Sequence, residues 1–334
     1  MIISPDQLRD LAATSLKRHG APQDNASLQA DLLIEAELRG LPSHGVQRLP
    51  RLLSRIDRGL ADPQTTGIGV WSRQGFLSVD GKRGLGPVVM MAAMRELEGA
   101  LAAGGVAIAA IRNANHIGML AYYVEAAAQA GSIGIVMSSS EALVHPYGGT
   151  QAMLGTNPLA AGIPTAGEPF ILDLATSVVS MGKIHNHALR GTAIPSEWAV
   201  DAQGRPTTDP EAAKAGAIAP FGGAKGYGLG LMIELLVAAL AGSHTAPDVR
   251  GTLDDIHPAN KGDILILVDP AAGGGSASAL TAYLDSLRAS RPADPAQPVV
   301  IPGDGSRKRR TETAARGIDV PDELLQTLSA LATT

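Results

Sequence analysis

The sequence predicts an α/β enzyme fold with helical ends, and three observations carry that prediction. Two short apolar runs bounded by glycine, 106–111 (VAIAAI) and 133–137 (IGIVM), read as buried strands in the middle of the chain. Helix-period segments crowd the first sixty residues and return at the end. With 39 glycines, 45% hydrophobic and only 18% charged residues among 334, the composition suits a compact enzyme better than a coiled coil or a disordered scaffold.

The elements follow in order. Ser4-Pro5-Asp6 opens a helix, with serine as N-cap and proline at the first helical position, and Leu8, Leu11, Ala12 and Leu16 supply the period. A second helix is expected over 23–40 and a third over 46–59, where Gly59 ends it. A helix over 121–129 lies between the two central strands. Residues 170–173 and 263–268 are further strand candidates, and 177–189 and 227–240 further helices. Three prolines in 292–298 mark a loop, and an amphipathic helix over 322–331 can pack back on the first helices. This places a helical segment, 1–70 with 290–334, around a central α/β region, 71–289.

Bulk properties exclude several classes. A net charge of -5 gives no general basic face for nucleic acid. The absence of cysteine removes disulfides, thiolate metal sites and thiol nucleophiles. The first residues lack the basic and apolar regions of a signal peptide, and the longest apolar run, 229–241, is short and carries Glu234, so it reads as a buried helix. A cytoplasmic protein with no membrane and no nucleic-acid partner is expected. No G-x-G-x-x-G follows a strand, and there is no P-loop, H-E-x-x-H or G-x-S-x-G. A dinucleotide, if used, must be bound without the standard Rossmann turn.

Four segments set polar residues beside glycines. Pro42-Ser43-His44-Gly45-Val46-Gln47-Arg48 offers an imidazole for proton transfer and a guanidinium for a carboxylate. Asn113-Ala-Asn115-His116-Ile-Gly118 follows a predicted strand, where ligands of α/β proteins often sit. Gly155-Thr-Asn-Pro158 is joined by Asp173-Leu-Ala-Thr-Ser177 and Lys183. Pro220-Phe-Gly-Gly-Ala-Lys-Gly-Tyr-Gly228 leads into an apolar helix whose N-terminus suits a pyrophosphate. Each segment alone also suits a helix cap or tight turn. His185 and His187, two apart on a helix, do not face a common metal, so no metal site is expected.

Together these segments resemble the type II malate/L-lactate dehydrogenases, the L-sulfolactate dehydrogenase-like family, over nearly the whole chain. The resemblance implies a non-Rossmann α/β fold with a mixed-sheet cofactor domain, a homodimer, and NAD or NADP as cofactor. It implies a small 2-hydroxy or 2-oxo carboxylate as substrate, held by Arg48 and Thr156. Cofactor contacts would fall on His116, Ile117, Gly118, Met119, Leu120, Ser140, Leu174, Ala175, Thr176, Lys225 and the turn Pro302-Gly303-Asp304. Proton transfer would fall on His44, assisted by Ser43, and on His116, with the essential one of the two left open. Lys183 would stabilise charge on the substrate oxygen, and it stands where imine-reducing relatives carry aspartate, which favours a C–O substrate over a C=N one. The run Arg307-Lys-Arg-Arg310 can accept a 2′-phosphate or simply be solvated.

Overall fold

The computed structural model describes residues 1–333. After a two-residue strand β1 (Ile2–Ile3), Ser4 caps α1 (Pro5–Arg18) by accepting the Gln7 amide at 3.2 Å. α2 (Gln23–Leu38) follows. The helix expected from Val46 starts later: two 3-10 turns, Pro42–His44 and Val46–Arg48, precede α3 (Leu49–Asp57). Pro50 explains the shift, because its ring and missing N–H prevent an α-helix from extending back through Val46.

β2 (Ile68–Arg73) and β3 (Phe76–Asp80) form a hairpin; α4 (Gly86–Gly104) leads to β4 (Val106–Arg112), and α5 (Ala121–Gln129) to β5 (Ile133–Ser138). β6 (Leu159–Ile163) and β7 (Phe170–Leu174) form a second hairpin. A small lobe contains α6 (Met181–Leu189), β8 (Ala199–Val200), α7 (Pro210–Lys214) and β9 (Ala217–Ile218). Then come α8 (Ala224–Ala241), β10 (Gly262–Val268), α9 (Ala277–Arg288), α10 (Asp304–Arg316), β11 (Ile318–Asp319) and α11 (Asp322–Thr333).

Seven strands form one mixed sheet in the order β2-β3-β4-β10-β5-β6-β7. Only β3 and β4 pair in parallel; β10 lies antiparallel between β4 and β5, with Asp263 opposite Ser138. One face is covered by α4 and α5, with Leu32 of α2 reaching into the same core. The other is covered by α8 through Ile233 and Val237. The chain ends are tied together, since Leu8, Leu33 and Leu49 share a core with Ile318 and Leu328, and β1 pairs with β11.

α8 corrects the expectation of a buried helix. Its apolar run spans all 18 residues of Ala224–Ala241, long and apolar enough by composition to cross a membrane, yet only a third of it is buried. The buried side rests on the sheet. Glu234 points inward and is satisfied there, accepting the Asn157 amide at 2.6 Å and the Ala246 N–H at 2.6 Å. Met232 and Leu235, on the other side, are exposed.

Candidate active site

Backbone geometry places the first imidazole. A Cβ on Gly45 would lie 2.0 Å from Glu37 Oε1, so glycine lets that carboxylate approach and accept the Val46 N–H at 2.8 Å. This anchors the 3-10 turn that carries Ser43 and His44. Ser43 Oγ lies 3.0 Å from His44 Nδ1, and Arg48 Nε donates to the Ser43 carbonyl at 2.7 Å.

The second imidazole stands on the loop after β4. Buried Asn115 holds that loop: its amide donates to the Arg83 carbonyl at 2.6 Å, and its oxygen accepts Arg55 Nε at 2.9 Å. Gly118 has φ +74, and a Cβ there would lie 2.2 Å from Leu32 Cδ2. The resulting turn directs the Gly118 N–H onto His116 Nδ1 at 2.9 Å. The two rings face each other with centroids 5.5 Å apart and planes tilted by 41°.

These contacts give the imidazoles different chemistry. An amide N–H only donates, so His116 Nδ1 is an acceptor and the ring's proton sits on Nε2. His116 is thereby set as a neutral hydrogen-bond donor. His44 faces a hydroxyl, which donates or accepts, so its tautomer is free to switch and Nε2 can take a proton. Withdrawal from bulk water, with the Arg48 charge nearby, lowers the His44 pKa to about 4. Burial, then the charges of Arg48, His44 and Lys261, hold His116 well below its ordinary value. Arg48 is lowered to about 10 by burial and by Arg51, and remains charged at neutral pH.

A stability consequence follows from the His44 shift. The unfolded chain takes up its proton near the ordinary value of 6.5 and the folded chain near 4. The contribution is complete above pH 6.5 and is lost as pH falls through that window toward 4. We expect His44→Gln to flatten the dependence of Tm on pH between those values. An unchanged slope in thermal melts would remove His44 as its source.

The rings stand between two connected hollows. The first is an open hollow with about 490 Å³ of free space, part of it open to solvent, and its lining includes Arg48, Arg51 and Arg55 but no acidic residue. The second is lined by Ser138, Ser139, Ser140, Thr156 and Lys261, again with no acidic residue. Ile117, Gly118 and Leu120 of the predicted cofactor set also line it. A wall of hydroxyls, an ammonium and backbone suits a group rich in acceptor oxygens, as a nicotinamide dinucleotide is.

The remaining segments close around this wall. Ser140 Oγ accepts the Thr156 N–H at 2.9 Å. The Thr156 carbonyl accepts the Thr176 N–H at 2.8 Å, and the Thr176 carbonyl accepts from Phe221 at 3.1 Å. Asp173 accepts the Ala121 N–H at 2.7 Å, fastening β7 to the start of α5. A Cβ on Gly182 would lie 3.3 Å from Ser43 Cβ, so the start of α6 abuts the first segment. All four segments thus meet.

Some predicted side chains stand apart. Lys183 is exposed, with Nζ 4.7 Å over the Trp198 ring, and does not line either hollow. Lys225 is exposed in the first turn of α8 and does not line them either. Met119 is buried beneath the loop. Leu174 and Ala175 are partly buried and lie outside the lining. Pro302, Gly303 and Asp304 lie beyond β7, where Gly303 packs against the Ile171 carbonyl. Asp304 is taken up by Arg288 at 2.9 and 3.0 Å and by Arg307 at 2.6 Å. Within the basic run, Arg307 also donates to the Pro169 carbonyl, Arg309 to the Arg39 carbonyl and Arg310 to Glu35. Arg307 is half-buried, whereas Arg309 and Arg310 make these bonds from exposed positions, and Lys308 is exposed. His187 packs edge-on to Trp198 at 5.5 Å, and His185 is exposed.

Sequence reasoning missed Arg51, Arg55, Thr252 and Lys261. Arg55 had a legible signal, its seven-residue spacing from Arg48. Lys261 had none, because Lys-Gly-Asp before a strand reads as a surface turn.

The malate/L-lactate dehydrogenase family pattern matches residues 3–329. The chain belongs to this family. It is similar in structure to a dehydrogenase from Sinorhizobium meliloti, with a TM-score of 0.97 and 70% identity over 99% of this chain and 98% of that one. It is also similar to the sulfolactate dehydrogenase from Methanocaldococcus jannaschii, with a TM-score of 0.94 and 34% identity over 100% and 97% of the two chains. Among sequences, ureidoglycolate dehydrogenase (NAD(+)) of Escherichia coli strain K12 is 33% identical over 98% of this chain and 95% of its own. The chain is therefore a sulfolactate dehydrogenase-like α/β protein and an oxidoreductase of the hydroxy-acid type.

Proposed function

We propose that this member transfers a hydride between a nicotinamide cofactor, NAD or NADP, and a small 2-hydroxy or 2-oxo carboxylate. The observation that carries the reading is the pair of imidazoles, 5.5 Å apart, at the junction of an arginine-lined hollow and a donor-lined one. Ser138, Ser140, Thr156 and Lys261 would hold the cofactor end. The nicotinamide, when bound, supplies or accepts the hydride.

This chain's residues do the rest. Arg48 pairs with the substrate carboxylate and orients the 2-carbon. In oxidation His44 Nε2 takes the hydroxyl proton while its Nδ1–H donates to Ser43; in reduction it returns that proton. A bound carboxylate offsets the Arg48 charge and so raises the proton affinity of His44 when substrate is present. His116 donates its Nε2–H to the same oxygen and stabilises its developing charge. Arg51 and Arg55, on the same stripe as Arg48, favour a substrate with a second anionic group. Arg55 Nη2 is buried without a partner, although the other nitrogens of its guanidinium are engaged at 2.8 to 3.0 Å.

The bare apolar side of α8 favours the homodimer that the resemblance implies. A helix apolar all round is normally covered on both sides, and Met232 and Leu235 here are 44% and 56% exposed. A monomer mass in sedimentation would remove this reading.

The activity is tested by titrating NADH and NADPH fluorescence, then following absorbance with a panel of 2-oxo acids. Turnover of a dianionic 2-oxo acid above its monoanionic analogues is expected. Faster reaction with pyruvate plus methylamine, or with a cyclic imine, would overturn the C–O assignment. Cofactor binding without turnover of any substrate would leave only a dinucleotide-binding protein.

A further inference from the structure

The cofactor-side hollow contains a cation that the proton chemistry does not use. Lys261 is 2% exposed yet lines the same hollow as His44 and His116. Both carboxylate oxygens of Asp263 accept from its Nζ, and Asp263 is fully buried and outside the lining. Ser138 Oγ also donates to Asp263, at 2.7 Å, locking the carboxylate behind the lysine. An ammonium has three N–H donors, and Asp263 takes two. The pair is neutral overall but oriented, with its positive end at the wall and its negative end within the sheet.

We propose that Lys261, held by Asp263 and Ser138, sets the preference of the pocket for the reduced over the oxidised cofactor. The inference rests on the nicotinamide reading above. An oxidised nicotinamide ring carries a positive charge and the reduced ring carries none. A fixed positive end beside it raises the energy of the oxidised form alone, and because Lys261 is almost wholly buried that penalty is weakly screened. The bound equilibrium shifts toward NADH. The enzyme then presents reduced cofactor to a 2-oxo acid and releases the oxidised cofactor readily. The role differs from that assigned to Lys183 from the sequence, because it acts on the ring rather than on the substrate oxygen.

The test is the ratio of dissociation constants, Kd(NAD+)/Kd(NADH), measured without substrate by fluorescence titration and competition. Lys261→Met removes the positive end and leaves the negative one, so the ratio falls by about fivefold or more. Asp263→Asn removes the negative end and leaves the lysine uncompensated, so the ratio rises. Changes in opposite directions are the expected result, because loss of packing alone would weaken both forms together. If either variant fails to fold, Lys261→Met/Asp263→Asn leaves no buried charge at the site and must still lower the ratio. An unchanged ratio, or movement in the same direction in both single variants, overturns the proposal while the nicotinamide reading stands. Failure of the wild-type protein to bind NADH or NADPH overturns both.

Discussion

Replacing His44 with glutamine lowers kcat/KM for the 2-hydroxy acid by about 10²- to 10⁴-fold, whereas His116→Gln costs about tenfold or less. The asymmetry comes from the hydrogen bonds on the two rings. Gly118 donates to His116 Nδ1 at 2.9 Å, which leaves Nε2–H as the only face the ring can present. A glutamine amide offers an N–H in a similar place, so most of the donor function survives. His44 has Ser43 Oγ at 3.0 Å, a partner that accommodates gain and loss of a proton. Glutamine does not titrate, so the proton path is lost. Steady-state kinetics of both variants, with cofactor dissociation constants as controls, decide the matter. Equal losses would mean that His116 also carries the proton, and that the Gly118 contact breaks when substrate binds.

The second large effect is expected at Arg48. Arg48→Met should lower kcat/KM by about 10²- to 10³-fold, mainly through KM, because a partly buried carboxylate loses its charge-assisted pair. Arg48→Lys should recover little of it. Nε is already committed to the Ser43 carbonyl at 2.7 Å, so the guanidinium anchors itself with one nitrogen and clamps with the others. An ammonium cannot do both. NADH affinity should stay within about twofold of wild type, since Arg48 lines the hollow opposite the hydroxyl-rich one. A parallel loss of cofactor affinity would show that Arg48 supports the whole site rather than the acid alone.

Legibility in the sequence followed burial. β4, β5 and β10 were readable because central strands carry unbroken apolar runs, and β7, at the sheet edge, through the apolar Phe-Ile-Leu that opens it. β2 was not, since every residue of Ile68–Arg73 is exposed at the sheet edge and shows no alternation to detect. β6 went unread because Leu-Ala-Ala-Gly-Ile is short and rich in small residues, its register set by β5 and β7. α4 was missed because its sequence is apolar on most sides, which periodicity does not separate from other buried segments. In the site, Ser43, His44, Arg48 and His116 were legible as polar residues beside glycines. Lys261 was not, because a lysine in a turn looks solvated until a buried aspartate two residues on is seen to turn it inward.

What the chain order alone determined was the stock of parts: the helical ends, the core strands, and four glycine-bounded segments with their imidazoles and guanidinium. Those are local properties, written in periodicity, caps and turn residues. Only the tertiary structure decided which parts meet. It joined His44 to His116 across 72 positions, sent Lys183 and Lys225 to the surface, and brought Lys261 to the wall. The reason is that contact between distant residues depends on strand order and core packing, which no short window of sequence contains.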